Sequence, residues 1–483
     1  MKVTRFLAMP LRAVIAVLSI GAGSLLAQNL TPGYTPPPPP PLLPLSAPAI
    51  PLSEPPVLFD VPDVSVDVIR GYDPELEHRI FQLEEAMKQK VDRPDTKRAW
   101  STPRISGRLF IDSVNFIDQN AESREKNGNW RNATGFRELR LGAAGSGYGS
   151  FDYKLEVGIN ANSGQIALFD NWIGVKNVPL LGYVRAGHYR VETGLNYTMG
   201  STNITSTEYT TPANTFGLAR KIGVSSEHLF AQDRVRLFFG VFQGVNADVD
   251  RRVNGDNQGQ IVNVRLTAAP WFAQEGKYLL HLGGHWEYVA TPSKSVSFNT
   301  SPATFGLGVS QTALQSGTLA SDYSNRGGLE FMYQHGRYSV RSELFAGSFN
   351  GYGAAQGRHL YGTYVELGYF LTDDFRTYDL NTGLFSGVKT KRNFHLLKCR
   401  GQNVIDSLGA WQAFFQWGYT DMTDWRRDAN SGGYQNDFVA GMNWFWTPQL
   451  RWIFEYVRSE QCVGTGFSHR SQDIFATSLR VHF

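Results

Sequence analysis

From Arg104 to Phe483 the chain is a succession of short segments whose polarity alternates residue by residue. A period of two is that of a strand with one apolar and one polar face. In 408–420, Trp411, Ala413, Phe415, Trp417 and Tyr419 alternate with Gln412, Phe414, Gln416 and Gly418. In 278–289, Leu280, Leu282, Trp286 and Tyr288 alternate with His281, Gly283, His285 and Glu287. Sixteen such segments can be counted, from 104–114 to 472–483. The pieces between them alternate as well. "GSGYGS" (145–150), "AQDR" (231–234), "HGR" (335–337) and "TPQ" (447–449) are tight, whereas 115–134, 191–219, 245–259, 290–326, 348–360, 421–436 and 459–471 are long. An even count of alternating segments about ten residues long, with short turns at one end and long loops at the other, marks a transmembrane β-barrel. The expected fold is all-β: a 16-stranded antiparallel barrel over 104–483, preceded by a short coiled-coil helix.

Alternation alone does not tell inside from outside. Two features put the apolar face outside. Sixteen strands enclose a lumen too wide for side chains to fill. Trp417, Trp444, Trp446, Trp452 and Tyr456 gather near strand ends, as in an interfacial aromatic girdle. The polar face then lines the lumen, with Arg108, Arg140, Lys154, Arg236, Arg265, Arg341, Arg451 and Arg480 against Asp112, Glu138, Glu156, Glu287, Glu330, Glu343, Glu366 and Glu455. That is eight of each sign. Two readings follow: cross-strand salt pairs around a water-filled pore, or segregated signs that make an anion path.

Ahead of the barrel, "MKVTRFLAMPLRAVIAVLSIGAGSLLAQ" places Lys2, Arg5 and Arg12 before an apolar run, Ala13 to Leu26. This is the layout of a secretory signal peptide over 1–27. Residues 28–72 hold "TPPPPPPLLPLSAPAIPLSEPP", expected to be a semi-rigid polyproline spacer in the periplasm. In 73–92, Leu76, Ile80, Leu83 and Met87 form a short heptad seam, with Asp73 as N-cap and Pro74 at the first helical position. A lone helix of that length is marginal in water, so it is expected to oligomerise with its own copies. Cys399 falls in the 372–407 connection on the short-turn side and Cys462 in the loop before the last strand, on the opposite side; a bridge would have to cross the height of the barrel, too far for a disulfide.

Charged residues are 18% and the formal net charge is +3, with no basic stripe of the kind that binds nucleic acid. No H-E-x-x-H, C-x-x-C or G-x-S-x-G occurs, so neither an enzyme nor a metal or cofactor site is expected. His281 and His285 share a strand face but lie about 13 Å apart, too far for one metal ion. A rival reading is a structural tether, a closed barrel linked through the Pro-rich arm to the cell wall.

With the strands placed, several stretches resemble the phosphate-selective porin O and P family of Gram-negative outer membranes. They are "GFRELRLGAAGSGYGSFDYKLEV" (135–157), "YVRAGHYRVETGL" (183–195), "ARKIGV" (219–224), "YVELGYFLTDDFRTYDLNTGLFSGVKTKRNF" (364–394), "GAWQAFFQWGYTDM" (409–422) and "GMNWFWTP" (441–448). The resemblance implies a homotrimeric outer-membrane porin with a periplasmic coiled coil. Loops and one long turn would fold into its lumen, and basic residues would guide phosphate or other small hydrophilic solutes. Loops 191–219 and 290–326 and the turn 372–407 are the candidates for infolding. Arg190 follows "GHY", where the family commonly has lysine, and is the leading anion contact. Lys389, Lys391 and Arg392 match a basic stretch of the family turn. Arg108, Arg140, Arg236, Arg265 and Lys294 complete the candidate set. The loop 191–219 departs from the family pattern, holding no lysine or arginine and many Thr, Asn and Ser residues. The final strand, "SQDIFATSLRVHF", ends on Phe483. It resembles the terminal signal read by the barrel assembly machinery, which joins lipid, solute and further copies of the chain as expected partners.

Overall fold

The computed structural model describes residues 100–160, 164–244, 259–291, 294–302, 312–350, 357–399 and 402–483. The expected signal peptide (1–27), linker (28–72) and coiled-coil helix (73–92) lie outside the described residues.

The strands are β1 (Arg104–Gln119), β2 (Ala133–Gly147), β3 (Phe151–Asn160), β4 (Ile166–Leu168 and Asn171–Val178), β5 (Gly182–Arg190), β6 (Arg220–Phe230), β7 (Val235–Gln243) and β8 (Gln260–Ala273). They continue as β9 (Tyr278–Ala290), β10 (Tyr323–His335), β11 (Tyr338–Asn350), β12 (Arg358–Phe370), β13 (Ala410–Met422), β14 (Gly433–Thr447), β15 (Leu450–Val463) and β16 (Ser468–His482). Each pairs antiparallel with the next, and β16 pairs back on β1 from Arg108↔His482 to Gln119↔Gln472. The cylinder is closed, so no strand edge is left for lipid to satisfy.

Outside and inside separate as the period of two requires. Leu266, Leu282, Leu329, Phe331, Leu344, Leu367, Phe415 and Phe438 are exposed on the outer face. Their neighbours Arg265, His281, Glu330, Arg341, Glu343, Glu366, Gln416 and Asp437 are buried within. Trp411 stacks on Trp444 at 5.0 Å and Trp444 meets Trp446 at 4.9 Å near the short-turn ends of β13 and β14. Trp417, Tyr419 and Tyr434 form a second group toward the other end.

Several strands outrun their apolar belt. The connections expected at 421–436 and 459–471 shrink to 423–432 and 464–467. Beyond the lipid the outer face turns polar, as at Arg458 and Glu460, so the alternation fades while the ladder hydrogen bonds continue. Cys462, near the long-loop end of β15, is a buried free thiol.

Two local departures re-aim side chains into the lumen. The β1–β2 register shifts between Phe110 and Ile111, which leaves Arg137 as an extra residue on β2. That bulge buries Arg137 and Glu138 side by side. The break in β4 turns Phe169 and Asp170 inward. There Phe169 stacks at 3.6 Å from the Arg140 guanidinium, and Asp170 accepts from Lys154 at 2.8 Å and Arg220 at 2.7 Å.

The lumen is not simply water-filled. Inward Phe345, Phe349, Leu360 and Tyr364 pack on Leu195, Tyr197, Met199, Ile204 and Phe216 of the loop 191–219. A loop folded inward gives these wall residues an apolar partner that side chains of the wall alone could not reach.

The pore constriction

The β5–β6 loop, carrying the helical turns Leu195–Thr198 and Thr211–Phe216, crosses the barrel and binds the wall on several strands. Glu343 on β11 accepts from the backbone N–H of Leu195 at 2.6 Å and of Asn196 at 2.7 Å, and from the Tyr364 hydroxyl at 2.8 Å. Thr193 donates to Glu287 at 2.7 Å and Thr205 to Glu366 at 2.6 Å. Thr207 donates its N–H (2.9 Å) and its hydroxyl to Glu455, and Thr211 donates to Asp437. In the opposite sense, Arg451 donates to the Ile204 carbonyl at 2.8 Å, Arg480 to Ser201 at 2.8 Å and Arg137 to Thr207 at 2.6 Å. A loop without lysine or arginine therefore engages both signs of the wall. Its hydroxyls and N–H groups serve the acids, and its carbonyls serve the arginines. Hydrogen bonds to charged groups are worth about 1.5–3 kcal/mol each, so the loop is held by many points.

A second element enters from the short-turn end. The β12–β13 connection carries one hairpin of Arg376–Asp379 with Leu384–Val388 and another of His395–Cys399 with Gln402–Ser407. Tyr378 and Phe385 of the first hairpin are buried. The Tyr378 hydroxyl and His281 Nδ1 share a hydrogen bond of 2.7 Å, and Arg265 donates to the carbonyls of Thr382 and Gly383 at 3.2 Å each. Arg376 Nη1 donates to the Asn203 carbonyl at 2.8 Å, tying turn to loop. The β9–β10 loop adds a third layer. Its Phe298 packs edge-on against Phe349 (5.2 Å) and Trp425 (5.3 Å), and Gln435 donates to its Ser301 carbonyl at 3.2 Å.

The sequence-derived anion contacts distribute unevenly over this frame. Arg190 lies 4.5 Å from the Tyr197 ring and 5.2 Å from the Tyr209 ring, and donates to the Tyr197 carbonyl at 2.6 Å. It braces the infolded loop. Arg236 forks onto Glu192 at 2.7 and 2.8 Å and reaches Glu227 at 2.8 Å. Arg265 forks onto Glu330 at 2.9 and 2.8 Å and touches Glu192 at 3.1 Å. Arg140 meets Glu138 at 3.0 Å and Glu156 at 3.1 Å. Arg108 stands 3.7 Å from both acids with its side chain 22% exposed. Lys294 is exposed at the long-loop end, 3.9 Å from Asp322. At the short-turn end Lys389 pairs with Glu275 at 2.9 Å and Arg392 lies 3.7 Å from Asp406. Lys391 pairs with Asp373 there, and its hydrogen bond holds that carboxyl below the usual range. Arg137 and Arg376 escaped the sequence reading. The first is the extra residue of a bulge and the second lies in a turn, so neither falls on a wall position that alternation could predict.

Two adjoining cavities open beside the loop tip, on its short-turn side. One, of about 340 Å³, is lined by Thr202, Asn203, Arg376, Lys389, Phe445, Arg451 and His482 among others. The other, of about 330 Å³, shares Thr202, Asn203, Ser386 and His482 with it and adds Arg108, Arg140, Lys154 and Glu156. Six cationic side chains thus face these spaces against one acidic side chain. The balance of eight and eight along the wall is broken by coverage. Every one of the eight acids is buried, whereas Arg108 and Lys154 keep 22% and 23% side-chain exposure.

A closed sixteen-strand barrel, apolar outside, charged within and narrowed by its own loops, is the architecture of an outer-membrane porin. Residues 111–466 match the family described as "Phosphate-selective porin O and P". The chain belongs to that family, and it is an outer-membrane protein. It is 23% identical over 395 residues to Porin O of Pseudomonas aeruginosa, covering 72% of this chain and 84% of that one. Among solved structures it is similar to a loop-deletion mutant of OmpT, an outer membrane protein of Vibrio cholerae. That likeness has 13% identity and a TM-score of 0.48 over 80% of this chain and 100% of the other. It is also similar to an anion-selective porin from Comamonas acidovorans, at 11% identity and a TM-score of 0.46 over 79% and 99%.

Proposed function

We propose that the protein lets small hydrophilic anions, phosphate among them, diffuse across the outer membrane through this constriction. The observation that carries the reading is the side-chain charge lining the open spaces, six cations against one acid. Arg108, Arg140 and Lys389 face that path. Arg236 and Arg265 shape the opposite wall and Arg190 supports the loop. Lys294 at one mouth and Lys391 and Arg392 at the other raise the local anion concentration. The working unit is a homotrimer, as the family resemblance implies.

Recording from purified protein in planar bilayers under a KCl gradient is the test. The expected result is discrete conductance, closures grouped as a trimer requires, and a reversal potential on the anion side. Arg108→Ser should move that potential toward zero. A cation-side potential would sink the anion reading, and a silent bilayer would favour the closed tether.

Phe483 carries a separate proposal. Its N–H and carbonyl exchange hydrogen bonds with Gly107 at 3.1 and 2.9 Å, extending the seam between β16 and β1. We read the exposed terminal ring as an assembly signal as well. Deleting Phe483 is expected to cut the yield of folded protein in the outer membrane. A wild-type yield would leave the residue its seam contact alone.

A further inference from the structure

We infer that the 340 Å³ cavity between loop tip and infolded turn is a binding site for an organic carboxylate with an apolar body. The inference rests on the anion-pore reading and names a solute class for it.

The first observation is a cluster of guanidiniums with no ion-paired acid. Arg451 on β15 lies directly opposite Arg480 on β16 in the ladder. Both are buried on the lumenal face. Like charges directly opposite on neighbouring strands repel. Arg376, brought in by the turn hairpin, is the third, and it lines the cavity together with Arg451. Among the described residues no carboxylate forms an ion pair with any of the three. Arg451 donates to the Ile204 carbonyl and Arg376 to the Asn203 carbonyl and Gln412. Arg480 donates to the carbonyls of Ser201 and Thr207 and to Ser478. The acids nearby are already engaged: Glu455 accepts from Thr207, and Asp112 accepts from Ser478 and pairs with Arg137 at 3.5 Å. Elsewhere in the lumen the rule is the reverse, with Arg236, Arg265 and Arg341 each set against glutamate. Buried cations held by neutral acceptors alone call for a counter-anion.

The second observation is the apolar part of the same cavity's lining, beside the arginines, with Phe445 the ladder partner of Arg451. Phe445, Val388 and Pro448 line it, with Phe445 and Val388 part of a small apolar cluster with Phe370 and Ala410. The Phe445 ring centroid is 5.8 Å from the Arg451 guanidinium carbon, so one small molecule can touch both. A volume of about 340 Å³ lies at the lower end of the 300–1,000 Å³ that holds small organic ligands. Guanidinium matches the planar fork of a carboxylate. A bare inorganic oxyanion would satisfy the arginines and leave the apolar face unused.

The experiment is block of the chloride current through purified full-length protein in planar bilayers, with benzoate and, separately, inorganic phosphate as probes. Benzoate is expected to block saturably, at concentrations about tenfold below those needed for phosphate. Arg451→Gln should raise the half-blocking benzoate concentration about tenfold, the loss of one charge-assisted contact. Phe445→Leu should weaken block by benzoate more than block by phosphate. Equal or tighter block by phosphate, or a Phe445→Leu channel as sensitive to benzoate as the parent, overturns the carboxylate assignment in favour of an inorganic-anion site. No benzoate block in the unaltered protein overturns the site altogether. That last result leaves the anion-pore reading intact, because the reversal potential tests it independently.

Discussion

Replacing residues 195–216 by a short Gly-Ser linker is expected to raise single-channel conductance several-fold and to erase the proposed preference for anions. The first effect follows from area. A sixteen-strand cylinder is wider than its wall side chains can fill, and this segment supplies the bulk that narrows it, reaching Arg137, Glu343, Glu366, Asp437, Glu455 and Arg480 on six different strands. The second effect follows from coverage. Without the segment, four carboxylates now capped by its hydroxyls and N–H groups, Glu343, Glu366, Asp437 and Glu455, would face water. Arginines, among them Arg137, Arg451 and Arg480, would lose loop carbonyls too, so both signs would line the widened lumen and the six-to-one excess of cations would fall. Conductance and reversal potential in planar bilayers read the two effects together. An unchanged conductance would place the constriction elsewhere.

Glu330→Ala is expected to destabilise the barrel by about 3–5 kcal/mol, the range for removing one partner of a buried pair. Glu330 takes the two-pronged contact of Arg265 at 2.9 and 2.8 Å and lies 3.3 Å from His281 Nε2, all fully enclosed. Glu192 remains 3.1 Å from Arg265, which points to the lower end of that range. The effect should spread to the turn hairpin, whose Thr382 and Gly383 carbonyls depend on the same guanidinium. Urea titration followed by the gel shift between folded and unfolded barrel measures the loss. Glu330→Met combined with Arg265→Met should recover most of it, because the double change leaves no lone charge. A loss below about 1 kcal/mol for the single change would mean that the pair is as weak as an exposed one.

The barrel was legible in the sequence because lipid imposes a face on every strand. Alternation at Leu280–Tyr288 or Trp411–Tyr419 could not be mistaken for a helix, and the segregation of short and long connections set the topology. Three things were hidden, each for a physical reason. The bulge at Arg137 and the break at Phe169–Asp170 are single-residue events that shift the period without changing composition. The extra length of β15 and β16 lies above the lipid, where the outer face no longer has to be apolar. Which wall charges stay open was invisible because it depends on what the loop 191–219 covers. Arg108 and Arg265 look alike in the sequence, yet one is 22% exposed and the other fully enclosed.

The infolded loop is tethered by neutral donors reaching buried carboxylates, such as the N–H groups of Leu195 and Asn196 on Glu343. Mobile ions do not penetrate such contacts, whereas the half-open cations beside the loop tip lie within a Debye length of solvent, about 8 Å at 0.15 M salt. In the proposed anion pore, sieving by size and sorting by charge are therefore uncoupled. In brackish surroundings the protein should grow indifferent to the sign of a solute while still refusing the same large ones. Uptake of graded neutral sugars into proteoliposomes at low and high salt would reveal any drift in that size limit.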